Sequence, residues 1–427
     1  MPGDMAVALG ACTVDRHTLF AHSSARPSRQ LPQLLLTPGR SFAAGEMVAP
    51  ALPLPQVRQT CTVLGSQPAG EWGFEHGVNE YGVAVGRTSH QTKLQSPGPC
   101  LTGADLVRLA LERAHSAAQA VELLTGLIER HGQGRYTGGP AGAGDSVLLV
   151  ADGKEAFLIE AAGMHWVVQE LQQVRAVSDV GIVRQDWNRI SRGLAGHVIE
   201  QGWWPCDGSK LDFAGSLSAD PIGLASALRR WGRATVMLEQ QSGHIDLAFL
   251  RRLLADHYEM TSSEIDPFRL GSGPTPICQH GHGGGTWTAS SLVASLGSDG
   301  NRLAPAWCAF GPPCIAVFFP IFLEGDLPLG YGRSLWEGMQ NLNEHLQQAQ
   351  HRLPVCHEAL ARVQARMDQE TEEFIADRSA LKQAGSRDEL QRQATYFMQH
   401  NLEQFQMLLE GMMRITIRIP ARSGAAT

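Results

Sequence analysis

The stretch that decides the fold is GDMAVALGACTVDRHTLFAHSSARP, residues 3–27. Residues 5–9 are a short apolar run, and residues 10–15 have the composition of a turn. A second apolar run, residues 18–21, leads into a polar segment with Ser23, Ser24 and Arg26. Two short apolar runs joined by a turn are typical of a β-hairpin. The sequence therefore predicts that the chain opens with a hairpin that ends in a polar loop.

The overall composition is that of a globular protein without affinity for polyanions. The chain has 427 residues, of which 43% are hydrophobic and 18% are charged, and its net charge is −7. This length allows a large core in one layered domain or in several domains. The negative balance opposes binding to nucleic acid or to an anionic membrane. We therefore expect no nucleic-acid partner and no membrane partner.

The cysteines and the apolar segments indicate the cellular compartment in which the protein is expected. The eight cysteines include no CxxC pair, which fits a reducing cytosol better than a disulfide framework. The N-terminus lacks the basic region and long apolar core of a signal peptide. The longest apolar run, residues 314–323, contains Pro320 and is too short to span a bilayer, so we interpret it as a buried strand. The sequence predicts a soluble, cytoplasmic protein without a cofactor.

Strands and helices alternate along the first three quarters of the chain. Thr102 and Ser116 each begin a pattern with the spacing of a helix capping box, which predicts two adjoining helices. Asp152-Gly153 is typical of a hairpin turn, because glycine accepts a positive φ angle. Helices are expected through most of residues 187–260. Strands are predicted at residues 31–36, 60–64, 83–85, 146–151, 156–160, 166–169, 289–296 and 314–319.

The last part of the chain has a different character. Residues 334–413 contain little glycine and one proline, and apolar residues recur at helical spacing between residues 390 and 412. We interpret residues 331–427 as a helical hairpin or small bundle with a short disordered tail, separate from a first domain of residues 1–330. Its apolar face is either a homodimer interface or a surface packed on the parent domain. We favour packing, because apolar stripes at this spacing are mostly core.

Several motifs resemble those of a known family. Residues 3–27 match the pattern (small or Cys)-D-x-x-V-A-L-x-x-x-T-V-D followed by L-F-A-x-x-S-A-R-P. W-G-x-E-x-G-x-N-E-x-G-V matches residues 72–83, and D-L-V-R-L-x-L-E-R matches residues 105–113. Shorter matches follow at residues 132–134, 202–204 and 288–290. In this order the motifs resemble the secernin family, in the dipeptidase branch of the cysteine N-terminal nucleophile hydrolases.

The resemblance implies a fold and a reaction. The implied fold is α+β, the αββα sandwich of the N-terminal nucleophile hydrolases, followed here by the C-terminal helical extension. The family reaction is hydrolysis of dipeptides or small amides by an N-terminal cysteine. The cysteine side chain attacks the carbonyl while its own α-amine serves as the general base. Hydrogen-bond donors, an Asn side chain among them, stabilise the oxyanion.

The chain differs from this family pattern at several positions. The nucleophile position is Gly3, which has no side chain. His22 and Ala25 stand at the basic and acidic positions of the second loop, and Arg87 replaces a family Asn. Asp179 stands where relatives have an Asn before a strand, and an ionised Asp would repel an oxyanion instead of donating to it. Together these changes indicate that the demand for hydrolysis has been relaxed.

Two hypotheses about function follow. In the first, the protein is a peptidase homologue without activity, a pseudoenzyme that acts in binding or as a scaffold and holds a small peptide or amide ligand. In the second, it remains a dipeptidase or amidohydrolase that uses a different nucleophile or an activated water. In both, the candidate cleft is lined by Gly3, Asp4, His22, Arg26, Asn79, Arg87 and Asp179. Asn79 has a structural interpretation as well, because Asn readily occupies turn positions.

Other candidate groups carry less weight. Cys12 lies in the predicted turn, about 20 Å along the strand from Gly3 at ~3.3 Å per residue, so a space-filling role is favoured over a nucleophilic one. Removal of Met1 would expose the secondary amine of Pro2 as a base. The C-x-H-x-H pattern of Cys278, His280 and His282 matches no common closed metal site, and we interpret it as a solvated polar loop in preference to a metal site.

Overall fold

Two antiparallel β-sheets lie face to face, and helices cover both outer faces. The computed structural model describes residues 3–27, 30–48, 51–136, 144–219, 224–266, 268, 275–281, 285–297 and 303–417. Within these ranges the expected αββα layering, with a helical C-terminal part, is confirmed. None of the helices in them combines the length and the apolar character needed to cross a bilayer.

The two sheets contain most of the strands. The six-stranded sheet has the order β12-β1-β2-β14-β15-β16, and the eight-stranded sheet has the order β13-β11-β10-β9-β8-β7-β6-β3. A separate small ribbon pairs β4 with β5. The strands are β1 (Gly3–Ala8), β2 (Thr18–Pro27), β3 (Gln33–Thr37), β4 (Met47–Val48), β5 (Leu54–Pro55), β6 (Val63–Gln67), β7 (His76–Asn79), β8 (Ala84–His90), β9 (Asp145–Ala151), β10 (Ala156–Ala162), β11 (His165–Leu171), β12 (Val174–Val177), β13 (Arg189–Ile190), β14 (Thr286–Leu296), β15 (Ala306–Phe310) and β16 (Phe319–Ile321).

Helices form the two outer layers and the C-terminal extension. The helices are α1 (Gly103–Arg113), α2 (Ala117–His131), α3 (Leu194–Glu200), α4 (Phe213–Leu217), α5 (Leu224–Gln240), α6 (Leu247–Leu254), α7 (Arg333–Gln348), α8 (Leu353–Gln383) and α9 (Arg387–Ile417). α1 and α2 cover the eight-stranded sheet. α5 and α6 cover the six-stranded sheet. Each sheet therefore has one face on the central core and one face under helices.

The four layers follow from the period of a β-strand, whose successive side chains point to opposite faces. On β1, Met5 and Val7 enter the core between the sheets, whereas Ala6 and Ala8 pack under α5 and α6. β9 alternates in the same way between the central core and the α1–α2 side. Because both faces are buried, these strands are apolar almost throughout. The opening hairpin, which pairs β1 with β2, is confirmed. The polar loop predicted after it is wrong, because Ser23, Ser24 and Arg26 lie within β2 and are buried.

The predicted helix starts and the Asp152 turn are confirmed by local hydrogen bonds, although Gly153 does not adopt the positive φ expected for it. The Thr102 side chain accepts from the Asp105 backbone N–H, and Ser116 accepts from Gln119 in the same way. The Asp152 carboxylate accepts from the next two backbone N–H groups beyond Gly153. Each of these bonds joins groups two or three residues apart. Short-range geometry of this kind is determined by the local sequence.

The strand predicted at residues 314–319 is wrong over most of its length. Residues 313–315 form a 3₁₀ turn, and β16 begins only at Phe319. Pro312 and Pro313 open the turn, since proline has a fixed φ and no backbone N–H for a sheet. Pro320 is tolerated in β16 because this strand is the edge of its sheet. Residues 187–260 hold α3 to α6 but also the short strand β13.

The C-terminal helices pack on the sheets in the expected way. Side chains of α7, α8 and α9 belong to the same buried cluster as β15 and β16. Phe405 of α9 contacts Phe319 of β16 edge to face, with ring centroids 5.2 Å apart. Trp336 of α7 contacts Phe310 of β15 in the same manner at 4.8 Å. The domain boundary near residue 330 stays a prediction.

The two sheets approach closely at Gly86, and this predicts the effect of a single methyl group. A Cβ at Gly86 would lie 2.7 Å from Cδ2 of His22, 3.0 Å from Cζ of Phe20 and 3.2 Å from Sδ of Met5. We expect Gly86→Ala to lower the free energy of unfolding by about 1–3 kcal/mol through overpacking. Gly98→Ala is the control, because no atom lies within 4 Å of its added Cβ. Urea unfolding measures both, and equal stability of the two variants would contradict the close approach.

Candidate functional site

Gly3 begins β1 and faces the second strand of the opening hairpin. It pairs with Ser24, and its backbone N–H donates to Oδ1 of Asp179 at 2.8 Å. A Cβ at this position would lie 3.1 Å from the Ser23 carbonyl oxygen, 3.5 Å from the Arg87 carbonyl oxygen and 3.6 Å from Nε2 of His22. The space beside Gly3 thus admits a small side chain after a shift of a few tenths of an ångström.

Asp179 belongs to a buried ionic group that is centred on Arg230 of α5. The Arg230 Nε donates to both carboxylate oxygens of Asp4 at 3.1 Å, and its Nη2 pairs with Asp179. Ser178 donates to Asp4 at 2.5 Å, and Thr88 donates to Asp179. Because Arg230 is 3% exposed, the two carboxylates compensate its charge inside the protein.

A second ionic group lies on the other side of the hairpin end. Glu75 accepts from Arg26 of β2 and from Nε and Nη2 of Arg87 of β8, the last two at 3.2 and 2.9 Å. Arg26 and Glu75 are almost completely buried. Glu71, which is partly exposed, lies 3.8 Å from Arg26. Two guanidinium groups therefore share one fully buried carboxylate.

Two histidines lie between the sheets beside these groups. The Nε2 of His22 lies 2.8 Å from the Arg87 carbonyl oxygen, so Nε2 carries a proton and donates. The Nδ1 of neutral His22 then accepts from Nδ1 of His76, at 2.7 Å. The Arg87 carbonyl oxygen, which accepts from Nε2 of His22, thereby determines the tautomers of both histidines. The pair is neutral and both rings are held in one orientation.

Burial and charge set the ionisation of this centre. Burial lowers the pKa of His22 from 6.5 to about 4 and holds the pKa of His76 well below its usual range. Burial would raise the pKa of Glu75, but Arg26 and Arg87 outweigh it and hold that pKa far below the ordinary value. Burial raises the pKa of the Asp179 carboxyl, with Arg230 opposing and Asp4 adding to the effect.

Of the seven side chains and positions expected in the cleft, six come together. Gly3, Asp4, His22, Arg26, Arg87 and Asp179 are joined by the contacts above. Asn79 lies apart from them: its Nδ2 donates to the carbonyl oxygens of Leu111 and Ala114, and its Oδ1 accepts from the N–H groups of Tyr81 and Val83. Asn79 thus ties the turn after β7 to the end of α1.

Asn79 also borders a different cleft, of about 910 Å³, with Asp246 and Lys382 on its walls. Of the described residues that line this cleft, none is one of the other six predicted site residues. Cys12 is buried under α5 and α6, beyond the far end of β1 from Gly3. The structure therefore gives Cys12 a packing environment and keeps it away from the Gly3 centre.

Sequence reasoning missed several members of the centre, among them Glu75, His76 and Arg230. Glu75 matches the motif W-G-x-E-x-G without a predicted role, and His76 occupies an unmatched position of that motif. Arg230 gave no signal, because Arg229 and Arg233 on the same helix look alike in the sequence. Only the fold shows that Arg230 is buried and that Arg229 is exposed.

A separate cluster collects residues that can bind a metal. Cys278 and His280, two of the three candidates from the sequence, lie with His257 and Cys314. One ligand atom from each of the four lies within 4.8 Å of all the others. The third candidate, His282, lies outside the described residues. The interpretation of this segment as a solvated loop is wrong for Cys278 and His280, since both are buried by the turn before β16 and by α7.

Comparison with known proteins gives likenesses of fold. No protein-family model matches the chain. Similar solved structures include penicillin V acylase from Agrobacterium tumefaciens, with a TM-score of 0.41 and 13% identity over 75% of this chain and 86% of that one. A mutant of conjugated bile acid hydrolase from Clostridium perfringens has a TM-score of 0.38 and 11% identity over 73% and 89%. A Caenorhabditis elegans ortholog of N-acylethanolamine-hydrolyzing acid amidase has 0.34 and 11% over 68% and 92%.

The shared carboxylate predicts a large effect of a small change. Glu75→Gln keeps the shape but leaves the buried guanidinium groups of Arg26 and Arg87 without their common counter-charge. We expect the free energy of unfolding to fall by about 3–5 kcal/mol. Glu71→Gln is the matched control at the partly exposed acid and should cost less than about 1 kcal/mol. Chemical denaturation measures both, and a loss at Glu75 no larger than that at Glu71 would contradict the assignment.

The neutral histidine pair predicts acid sensitivity. The folded protein keeps His22 unprotonated down to about pH 4, whereas the unfolded chain takes up that proton near pH 6.5. The contribution of neutral His22 to the free energy of unfolding is therefore fully present above pH 6.5. It falls by about 3 kcal/mol as the pH drops toward 4. His22→Gln should flatten this slope, and His244→Gln, at an exposed histidine, should not. The test is the urea midpoint of unfolding at pH 7 and at pH 5. An equal change of midpoint between these pH values in both variants would refute the prediction.

Proposed function

We propose that this protein is a secernin-like member of the N-terminal nucleophile hydrolases that keeps the layered fold without hydrolysing amides. It acts in this proposal as a binding or scaffold protein. The observation that carries the proposal is the state of Gly3, which has no side chain and whose backbone nitrogen is held by the Asp179 carboxylate. The fold, the motif resemblance and this changed centre all support the same assignment.

The chemistry of the family reaction needs three groups that the centre does not supply. A nucleophilic side chain is missing at Gly3. The family base is the free amine of the first residue, but the Gly3 nitrogen is here a peptide N–H that donates to the Asp179 carboxylate at 2.8 Å and cannot accept a proton. The oxyanion needs donors, and Asp179 as a carboxylate only accepts. Each group that replaces a catalytic one is engaged in a structural contact instead.

The remaining polar groups are occupied with one another. Glu75 is shared by two arginines, Arg230 by two aspartates, and His22 by a carbonyl and His76. A general base needs both an available lone pair and a pKa near the working pH, and the low pKa of the buried histidines removes them from that range. This network is suited to holding four strands and one helix together.

The proposed ligand is a small peptide or amide at the solvent edge of the centre. Among the members of the ionic groups that reach solvent are Asp179 and Arg87, with side chains 18% and 10% exposed. An ammonium group and a carboxylate of a dipeptide would complement these two charges. A ligand that binds the folded state stabilises it in proportion to its concentration over its dissociation constant, so a dose-dependent rise in Tm with dipeptides tests this part.

The experiment that tests the absence of hydrolysis uses a panel of dipeptides and N-acyl amides. The natural protein is assayed beside a variant without Pro2 and with Gly3→Cys, in which removal of Met1 leaves cysteine as the first residue. The matched control carries Gly3→Ala in the same background, which adds a Cβ without the thiol. We expect the natural protein to give the same rate as a blank, because it lacks the attacking group.

The outcomes separate the two hypotheses. Turnover by the natural protein that stays constant through purification would overturn the proposal and favour another nucleophile or an activated water. Activity in Gly3→Cys but not in Gly3→Ala would show that only the attacking group has been lost. If Gly3→Cys is silent, adding Asp179→Asn restores an oxyanion donor, and activity then would assign the second defect to Asp179.

A further inference from the structure

We propose that His257, Cys278, His280 and Cys314 form a structural zinc site. The four residues come from three separate segments: the turn after α6, the segment before β14 and the 3₁₀ turn before β16. One ligand atom from each lies within 4.8 Å of the other three. His257, Cys278 and His280 are buried, and Cys314 is half-buried. Two thiols and two imidazoles are a common ligand set of closed, tetrahedral zinc sites.

The three distances from Nε2 of His280 to the other ligand atoms are close to those expected around one ion. With Zn–N near 2.05 Å and Zn–S near 2.3 Å, a tetrahedron places two nitrogens about 3.3 Å apart and a nitrogen and a sulfur about 3.6 Å apart. The two Nε2 atoms, of His257 and His280, are 3.2 Å apart. The His280 Nε2 lies 3.6 Å from Sγ of Cys278 and 3.2 Å from Sγ of Cys314.

Neighbouring side chains fix the tautomer of His280. Its Nδ1 lies 2.8 Å from Oδ1 of Asn343 on α7. The orientation of this amide is set, because Nδ2 of Asn343 donates to the His280 carbonyl oxygen at 3.1 Å. The Oδ1 is therefore the acceptor and Nδ1 of His280 is the donor. This leaves the lone pair of Nε2 directed at the cluster, the arrangement of a metal-bound histidine with an outer hydrogen bond.

A carboxylate does the same for His257. Its Nδ1 lies 3.0 Å from Oε1 of Glu259, and its backbone N–H donates to Oε2 of the same side chain at 2.7 Å. The Nδ1 therefore carries the proton and Nε2 carries the lone pair. A carboxylate, a histidine and a metal in sequence is a recurring arrangement at zinc sites. Both imidazoles thus turn their lone pairs toward the same point.

A metal cation fits this convergence. Two nitrogen lone pairs that face each other at 3.2 Å repel one another unless a proton or a metal ion lies between them. Zinc with two thiolates and two neutral imidazoles is a unit of zero net charge, which a protein interior accommodates at little cost. The four ligands all come from the protein, so the geometry is that of a structural site and not of a catalytic one.

The position of the site explains what it would stabilise. His257 follows α6, Cys278 and His280 precede β14, Cys314 precedes β16, and Asn343 lies on α7. One ion would therefore join an outer helix, the six-stranded sheet and the C-terminal helical part. Binding energy gained only in the folded state is folding energy.

The first measurement is the zinc content of the full chain, purified without a metal-binding tag and under reducing conditions. We expect about one zinc per chain after exposure to Zn²⁺ and dialysis. Co²⁺ in its place should give the visible absorption of a tetrahedral site and a thiolate-to-metal charge-transfer band. A strong chelator should lower the Tm by more than about 5 °C. The Co²⁺ spectrum uses the natural folded protein, so it decides the question even where a ligand variant fails to fold.

Variants locate the ion. Cys278→Ser with Cys314→Ser should abolish stoichiometric zinc, whereas Cys308→Ser and Cys356→Ser, at cysteines outside the cluster, should retain it. Asn343→Ala should weaken zinc binding about 10-fold or more through the loss of its hydrogen bond to His280. Asn341→Ala, at an exposed position of the same helix, is its control.

Three results would overturn the proposal. One is a natural protein that neither retains zinc nor gives a tetrahedral Co²⁺ spectrum. Another is zinc that remains stoichiometric in the double cysteine variant, which would place the ion elsewhere. The third is an intact mass lighter by two hydrogens with a disulfide between Cys278 and Cys314, because these sulfurs would then not be available as ligands.

Discussion

The salt bridges of Arg230 are the interaction on which the Gly3 centre depends. A guanidinium in this interior is tolerated only with compensating charge, and it finds that charge on Asp4 of β1 and on Asp179 after β12. Asp179 in turn receives the backbone N–H of Gly3 and the hydroxyl of Thr88 on the opposite sheet. One buried cation thereby fixes the start of β1, the end of β12 and the contact between the sheets.

A centre organised in this way uses its polar groups for structure. In a hydrolase of the kind that the motifs resemble, the same positions must leave an amine deprotonated and donors directed at a substrate. Here a carboxylate holds the backbone of Gly3, and the neutral His22–His76 pair links the two sheets. Under the proposal that hydrolysis has been lost, these pairings occupy lone pairs and donors that catalysis would need.

The sequence predicts what short-range chemistry determines and fails where distant segments meet. Thr102, Ser116 and Asp152 act through bonds to residues two or three positions away, and all three were predictable. The apolar run at 314–319 resembled a strand because hydrophobicity alone does not register the Pro312-Pro313 turn. Arg230 was missed since burial by another layer has no local signature. The four cluster ligands span residues 257 to 314, and their spacing fits no compact motif, so only the fold brings them together.

The ionic centre and the cysteine–histidine cluster are mechanically connected through α5. Arg230 and Arg233 are three residues apart and project from the same side of the helix. Arg230 holds Asp4 and Asp179, while Arg233 donates to both oxygens of Asp256 at 3.0 and 3.1 Å, the residue directly before His257. On the sheet, His280 bridges to Trp287, which pairs with Arg26. The segments that carry the cluster therefore contact both α5 and the strand that pairs with the end of β2. An ion bound by His257 and His280 would therefore lie next to two of the elements that also carry the charged side chains around Gly3.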